Sequence, residues 1–346
     1  MTIEIGSVHE NTTTKEFSTY LYTYAGGSTP EWVERGTGGY ISSADAGGGG
    51  RGVWCGGYGD STEKNTMTYI TISTTGNNTT FGNLSATSNS NFACHSSTRG
   101  VIGLGTSGGS TVDTIEYITT ATTGNTTDFG NLTAARRQSA NGNAGNATYG
   151  LFLGGWVGGN TASIDYITIA STGNGTDFGD LSNYQTSSGG AVSSNTRAMV
   201  GGGYAGGART DTIDYVTIGT SGSGTDFGNL TGAKSGVGGC SNTVRGIFMA
   251  GYATTGSDES TDIDYVTIAT PANATDFGDL TVKGEGVAAV SDNTRGVRAG
   301  GYNDGATSAV MNTMDFITIA TLGNASDFGD LSVGVYSLTA VDSSTI

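Results

Sequence analysis

The chain has 346 residues, 14 basic against 30 acidic, for a formal net charge of −16; only 13% of residues are charged, and there are 61 glycines but two prolines. That length fits two ordinary domains or one large all-β domain. The charge balance excludes nucleic acid and anionic membrane surfaces as partners, because phosphate recognition needs clustered Lys or Arg. The polar positions, dominated by Thr, Ser, Asn and Gly, suit short strands and tight turns rather than helices.

The N-terminal stretch "MTIEIGSVHE" has neither a basic nor an apolar signal region, so no secretory signal is expected. No apolar run reaches the ~18 residues of a membrane-spanning helix. Next come Tyr20, in "TYLYTY", and Trp32. From Arg51 onward a repeat is plain. The aromatic opening each "ITI" strand is Tyr69, Tyr117, Tyr166, Tyr215, Tyr265 and Phe316, at spacings of 48, 49, 49, 50 and 51. The aromatic of each "DFG" phrase, Phe81, Phe129, Phe178, Phe227, Phe277 and Phe328, repeats the same spacings. Regular self-similarity of this kind marks a repeat architecture.

Each unit carries four short β-type segments. In the fifth these are Ser235–Asn242, Val244–Tyr252, Asp262–Thr270 and Thr275–Thr281. Val266 and Ile268 alternate with Tyr265 and Thr267, the period of a strand. The "TGN" or "PAN" between segments three and four has hairpin chemistry. Four antiparallel strands per ~50 residues make one propeller blade.

The ends predict a further unit. Tyr20, Trp32 and Thr2 lie 49 residues before Tyr69, Phe81 and Arg51, and Ala340-Val341 lies 51 after Ala289-Val290. By that offset Ile346 falls where Arg295 stands. The expected fold is therefore an all-β, seven-bladed β-propeller forming a single domain over 1–346. Its closing blade would combine strands two to four from residues 2–35 with strand one from 337–346, leaving no open edge. A β-solenoid is the alternative.

A double glycine ends strand two at Gly56-Gly57, Gly154-Gly155, Gly202-Gly203 and Gly300-Gly301, often followed by Tyr or Trp. With the strand-four aromatic, this resembles the kelch-type β-propeller repeat, although strand four carries Phe where kelch repeats carry Trp, Trp32 excepted. The Thr- and Asn-rich phrasing is similar to repeat proteins of marine bacteriophages, cyanophages among them. That resemblance implies a non-enzymatic virion component assembled in the host cytoplasm, a capsid decoration or a tail- or fibre-associated propeller. Its partners would be other virion proteins.

Five of the ten arginines share one repeat position: Arg51, Arg99, Arg197, Arg245 and Arg295, with Tyr149 in the remaining unit. Acids recur before strand three (Glu116, Asp165, Asp214, Asp264, Asp315) and before the strand-four Phe (Asp128, Asp177, Asp226, Asp276, Asp327). Residues repeated in most units serve the unit, so Arg–Asp pairing that fixes register is expected; the alternative is a charged ring about the axis. Asn125, Asn174, Asn273 and Asn324 open Asn-x-Thr/Ser triplets in the strand 3–4 turn and read as turn formers.

Catalytic signatures are wanting. Two GxGxxG matches, at Gly103 and Gly201, lead into strands rather than a helix that would receive a pyrophosphate. The two histidines, His9 and His95, cannot form a multi-His zinc site. Cys55, Cys94 and Cys240 contain no CxxC and read as buried side chains or free thiols. No cofactor is expected.

Symmetry breaks at the strand 2–3 loops, which differ in every unit and which an aromatic often opens: Tyr58, Trp156, Tyr204, Tyr252 and Tyr302. All six should emerge on one face as a docking surface, or as an adhesin surface for host polysaccharide. The alternative is that these aromatics pack between blades. Asp258, Glu259 and Asp262 form a candidate calcium loop, with a solvated acidic loop as the alternative. A glycan-active enzyme is the reading with least support.

Overall fold

A computed structural model describes residues 5–10, 17–23, 31–37, 50–182, 189–254, 258–305 and 309–344. The chain divides into two compact units, Met1–Gly47 and Gly48–Ile346. In the first, Ile5–Glu10, Phe17–Thr23 and Glu31–Thr37 form a three-stranded antiparallel sheet.

The second unit is a propeller arrangement of small antiparallel sheets, with no helix among the described residues. Sheet one pairs Thr339–Asp342, Arg51–Cys55, Thr62–Thr71 and Thr79–Asn89. Sheet two runs Phe92–His95, Arg99–Gly103, Thr114–Thr119, Thr127–Asn131. Sheet four runs Gly190–Ser193, Arg197–Gly201, Thr212–Thr217, Thr225–Asn229. Sheet five runs Gly238–Ser241, Arg245–Met249, Asp258–Thr267, Thr275–Gly284. Sheet six runs Ala288–Ser291, Arg295–Ala299, Thr313–Thr318, Ser326–Asp330. These five have four-stranded cores. Sheet three has three strands, Tyr149–Trp156, Asn160–Thr168 and Thr176–Asp180. Its inner edge is finished by an isolated bridge, Gly145 to Gly150. The inner segment Asn141–Gly142 pairs instead in parallel with sheet four.

The expectation of seven blades is corrected by these pairings. The C-terminal strand does supply an inner strand, but its partner is Arg51–Cys55, in the register Thr339↔Cys55 to Asp342↔Gly52. The N-terminal strands pair with one another. Thr2 and Ile346, where closure was expected to meet, lie outside the described residues. The physical reason is direct packing of sheet one on sheet six. A Cβ on Gly52 would lie 2.5 Å from Val290 Cγ2, so the bare glycine backbone lets the sheets touch with nothing between them. One junction further, Gly100 meets Val341 in the same way.

The core is distributed among these junctions rather than gathered in one place. Six apolar clusters occur, each shared by two neighbouring sheets. The cluster of Trp54, Ile70 and Ile72 with Val290, Met314 and Phe328 joins sheets one and six. Within each sheet the repeat's two aromatics pack edge to face, as Tyr69 and Phe81 do at 6.0 Å, which accounts for their common spacing.

Backbone turns lock the same junctions. Gly124 N donates to Phe81 O at 2.9 Å, Gly173 N to Phe129 O at 2.8 Å, and Gly76 N to Phe328 O at 2.8 Å between sheets one and six. The Asn residues of these turns reach the neighbouring sheet as well. Asn125 Oδ1 accepts from Asn83 N at 3.0 Å, and Asn324 Oδ1 from Asp279 N at 3.1 Å.

Candidate functional site

The repeated charges hold sheets together, and the arginine does so differently from expectation. Arg51, Arg99, Arg197 and Arg245 each lay the guanidinium over the strand-three tyrosine of their own sheet, 4.3–4.8 Å from the ring centroid. Nη1 then donates to a backbone carbonyl of the next sheet: Thr120, Ile169, Ile268 and Ile319 respectively. Arg295 stacks on Phe316 and donates to Ser73 O of sheet one at 2.9 Å. The predicted Arg–Asp pairing is therefore corrected at these positions. An aromatic face and a carbonyl receive the charge, and neither partner shows in the charge pattern.

The strand-three acids also bridge sheets, but to hydroxyls. Asp165 accepts from Thr133 N at 2.7 Å and Thr133 Oγ1 at 2.9 Å; Asp214 accepts from Ser182 N at 2.8 Å and its Oγ at 2.6 Å. Three acids gain buried cations that sequence reasoning did not single out as sites. Arg136 Nη2 lies 2.8 Å from Asp165 Oδ1, Lys234 Nζ 3.0 Å from Asp264 Oδ2, and Arg298 Nη2 beside Asp315 Oδ2. Their only signal was that each breaks the repeat. Burial pulls the Arg136 and Arg298 pKa values below the ordinary guanidinium range, while Asp165 and Asp315 pull the other way.

The axis is filled by another departure from symmetry. Asn141 Nδ2 donates to Val287 O and Leu338 O, both at 2.9 Å, and its Oδ1 accepts from Thr339 Oγ1 at 3.1 Å. Nearby, His95 Nε2 lies 3.5 Å from Asp342 Oδ2, both residues buried. Burial pushes the His95 pKa below its usual value, partly offset by Asp342. The three cysteines are buried and free, and burial drives their thiol pKa values far up, so none is poised as a nucleophile.

The loop aromatics divide into two arrangements. Tyr58 and Tyr302 each pack against Tyr336 with centroids 5.6 Å apart. Tyr336 sits in the connection entering the inner strand of sheet one; its backbone exchanges hydrogen bonds with Tyr58, at 2.8 and 3.0 Å. Tyr252 lies under Arg209 at 4.1 Å, and Trp156 under Arg137 at 5.7 Å. The Tyr204 carbonyl accepts from Asn160 Nδ2 at 3.4 Å. All five predicted aromatics are half-buried. The structure brings Tyr58 and Tyr302 together and leaves the other three on separate sheets. Tyr336, at the focus of the first pair, was missed because it lies in a connection rather than at a repeat position.

The acidic loop regroups. Asp258 and Glu259 gather with Asp304, their carboxylate oxygens all within 4.8 Å of one another. Asp262 instead lies 3.7 Å from Lys234 Nζ. Lys283 Nζ enters the cluster, 2.5 and 2.6 Å from the two Asp258 oxygens and 3.7 Å from Glu259 Oε2. The Lys283 hydrogen bonds hold Asp258 below the usual carboxylate range, and burial pushes Glu259 above it. Residues 255–257 and 306–308, parts of the two longest predicted loops, lie outside the described residues.

No known family model matches this chain, and no curated protein is similar to it. The functional reading rests on the residues themselves. The repeated Arg, Asn and strand-three acids are engaged between sheets, whereas Tyr58, Tyr302, Tyr336, Arg209 and the Asp258 cluster are each peculiar to one sheet.

Proposed function

We propose that this chain is a non-enzymatic interaction module that docks through the face carrying its strand 2–3 loops. The supporting observation is the convergence of Tyr58, Tyr302 and Tyr336 at the junction of sheets one and six. Half-buried tyrosines offer large amphipathic area at low entropic cost, as binding surfaces do. The kelch-like repeat and the phage-like phrasing assign the module to a virion, on a capsid, tail or fibre, with other virion proteins as its partners. Lys283 neutralises the Asp258 cluster, so docking proceeds without calcium.

A second reading is a host-polysaccharide adhesin, favoured by the same tyrosines because sugar rings stack on aromatic faces. Binding of the purified chain to virions stripped of it, to intact host cells and to extracted polysaccharide separates the two. Saturable binding to stripped particles alone, unchanged by EDTA and weakened at least tenfold by Tyr302→Ala, is the expected result. Saturable binding to polysaccharide would install the adhesin. Turnover of a glycan would overturn both.

A further inference from the structure

Sheet one breaks the acid repeat. Opposite Arg298 in sheet six stands Asp315, whereas opposite Trp54 in sheet one stands Thr68. At other junctions the acid receives the backbone N–H and hydroxyl of a Ser or Thr from the preceding sheet, as Thr133 gives to Asp165 and Ser182 to Asp214. Between sheets six and one the Ser332 N–H goes instead to Asn78 Oδ1, at 2.9 Å.

The smaller threonine leaves a cavity of about 140 Å³ at this junction, lined by Trp54, Lys64, Thr68 and Asn78 and by the apolar Leu331 and Val335. Trp54 is 2% exposed. Its Nε1–H meets no acceptor, and neither does the buried Nδ2 of Asn78. A buried donor without an acceptor costs about 1–3 kcal/mol. Lys64 adds an ammonium whose only ionic partner is the exposed Asp60, at 3.3 Å. Two unmet donors and a cation thus border an apolar space from which the repeat's own carboxylate is missing.

We propose that this cavity binds a small monocarboxylate. The ligand's carboxylate takes the place of the absent acid, accepting from Trp54 Nε1 and Asn78 Nδ2 with Lys64 supplying the counter-charge. Its hydrocarbon end lies against Leu331 and Val335. A cavity of ~150 Å³ accommodates benzene, so an aliphatic acid of about four carbons fits. The site is separate from the tyrosine junction and does not depend on the docking function proposed above.

The test is titration of the full chain with butyrate, followed by the indole N–H resonances in heteronuclear NMR. Trp54→Phe identifies the Trp54 signal by its loss. Butyrate is expected to shift that signal saturably, and the neutral isostere butyramide to bind at least tenfold more weakly. Thr68→Asp restores the repeat's acid in place of the ligand. It is expected to abolish butyrate binding and to raise the melting temperature. Calorimetric titration of Trp54→Phe, which keeps the apolar bulk and removes one donor, gives a second reading and should show weakened binding. No saturable shift at millimolar butyrate, equal binding of butyramide, or undiminished binding in Thr68→Asp would each overturn the proposal.

Discussion

A guanidinium needs an acceptor and tolerates an aromatic face, and the five repeated arginines find both without meeting a carboxylate. Their structural role was legible in the sequence because a residue repeated in nearly every unit serves the unit. Their partners were not, because a backbone carbonyl leaves no mark in a sequence. Asn141 was illegible for the opposite reason: it occurs once, and only the closed ring of inner strands gives its amide carbonyls to bind. His95 carries a prediction at this scale. Its native pKa is lowered by burial, so the unfolded chain binds a proton more readily than the native one. The stabilising contribution of neutral His95 is complete above the unfolded value of about 6.5 and is lost as pH falls through the lower native value. Urea midpoints measured at descending pH should fall over that window in the parent chain, and less steeply in His95→Asn. Equal slopes would assign the effect to another group.

Strand content and the four-segment unit were readable from alternation, turn residues and the 48–51 spacing, since each unit must bury its faces against its neighbours. The number of sheets was not. Tyr20 and Trp32 sit at the right offset from Tyr69 and Phe81, but an offset does not specify which strand edge accepts the C-terminal strand; the bare Gly52 against Val290 does. Glycines at the hairpin contacts carry the element-scale prediction. A Cβ on Gly82 would lie 2.0 Å from Gly124 O, whereas Gly124 itself faces open space. Gly82→Ala should destabilise by about 1–3 kcal/mol through overpacking. Gly124→Ala should be neutral or stabilise by up to about 1 kcal/mol. Chemical denaturation of the pair reads the difference, and equal effects would argue against close turn-to-sheet contact.

For the molecule as a whole, the C-terminal strand is the only described segment that joins sequence-distant strands within one sheet. Removing residues 337–346 uncovers the Arg51–Cys55 edge and takes Leu338 and Ala340 from the cluster joining sheets one and six. The truncated chain should melt at a markedly lower temperature and associate through the freed edge, as light scattering would detect. An unchanged, monomeric melting profile would show that the ring does not depend on that strand.

The same pairing sets an order of events during synthesis. Cys55 must wait for Thr339, its register partner, which emerges 284 residues later. At ~5–20 residues per second, that interval is roughly 15–60 s, during which sheet one has an unprotected side on the ribosome. The closing strand spends no such time exposed, because its partner already awaits it. A nascent chain of this design is most vulnerable in its oldest sheet, and a holdase that shields Arg51–Cys55 would improve its yield more than one that attends the last strand made.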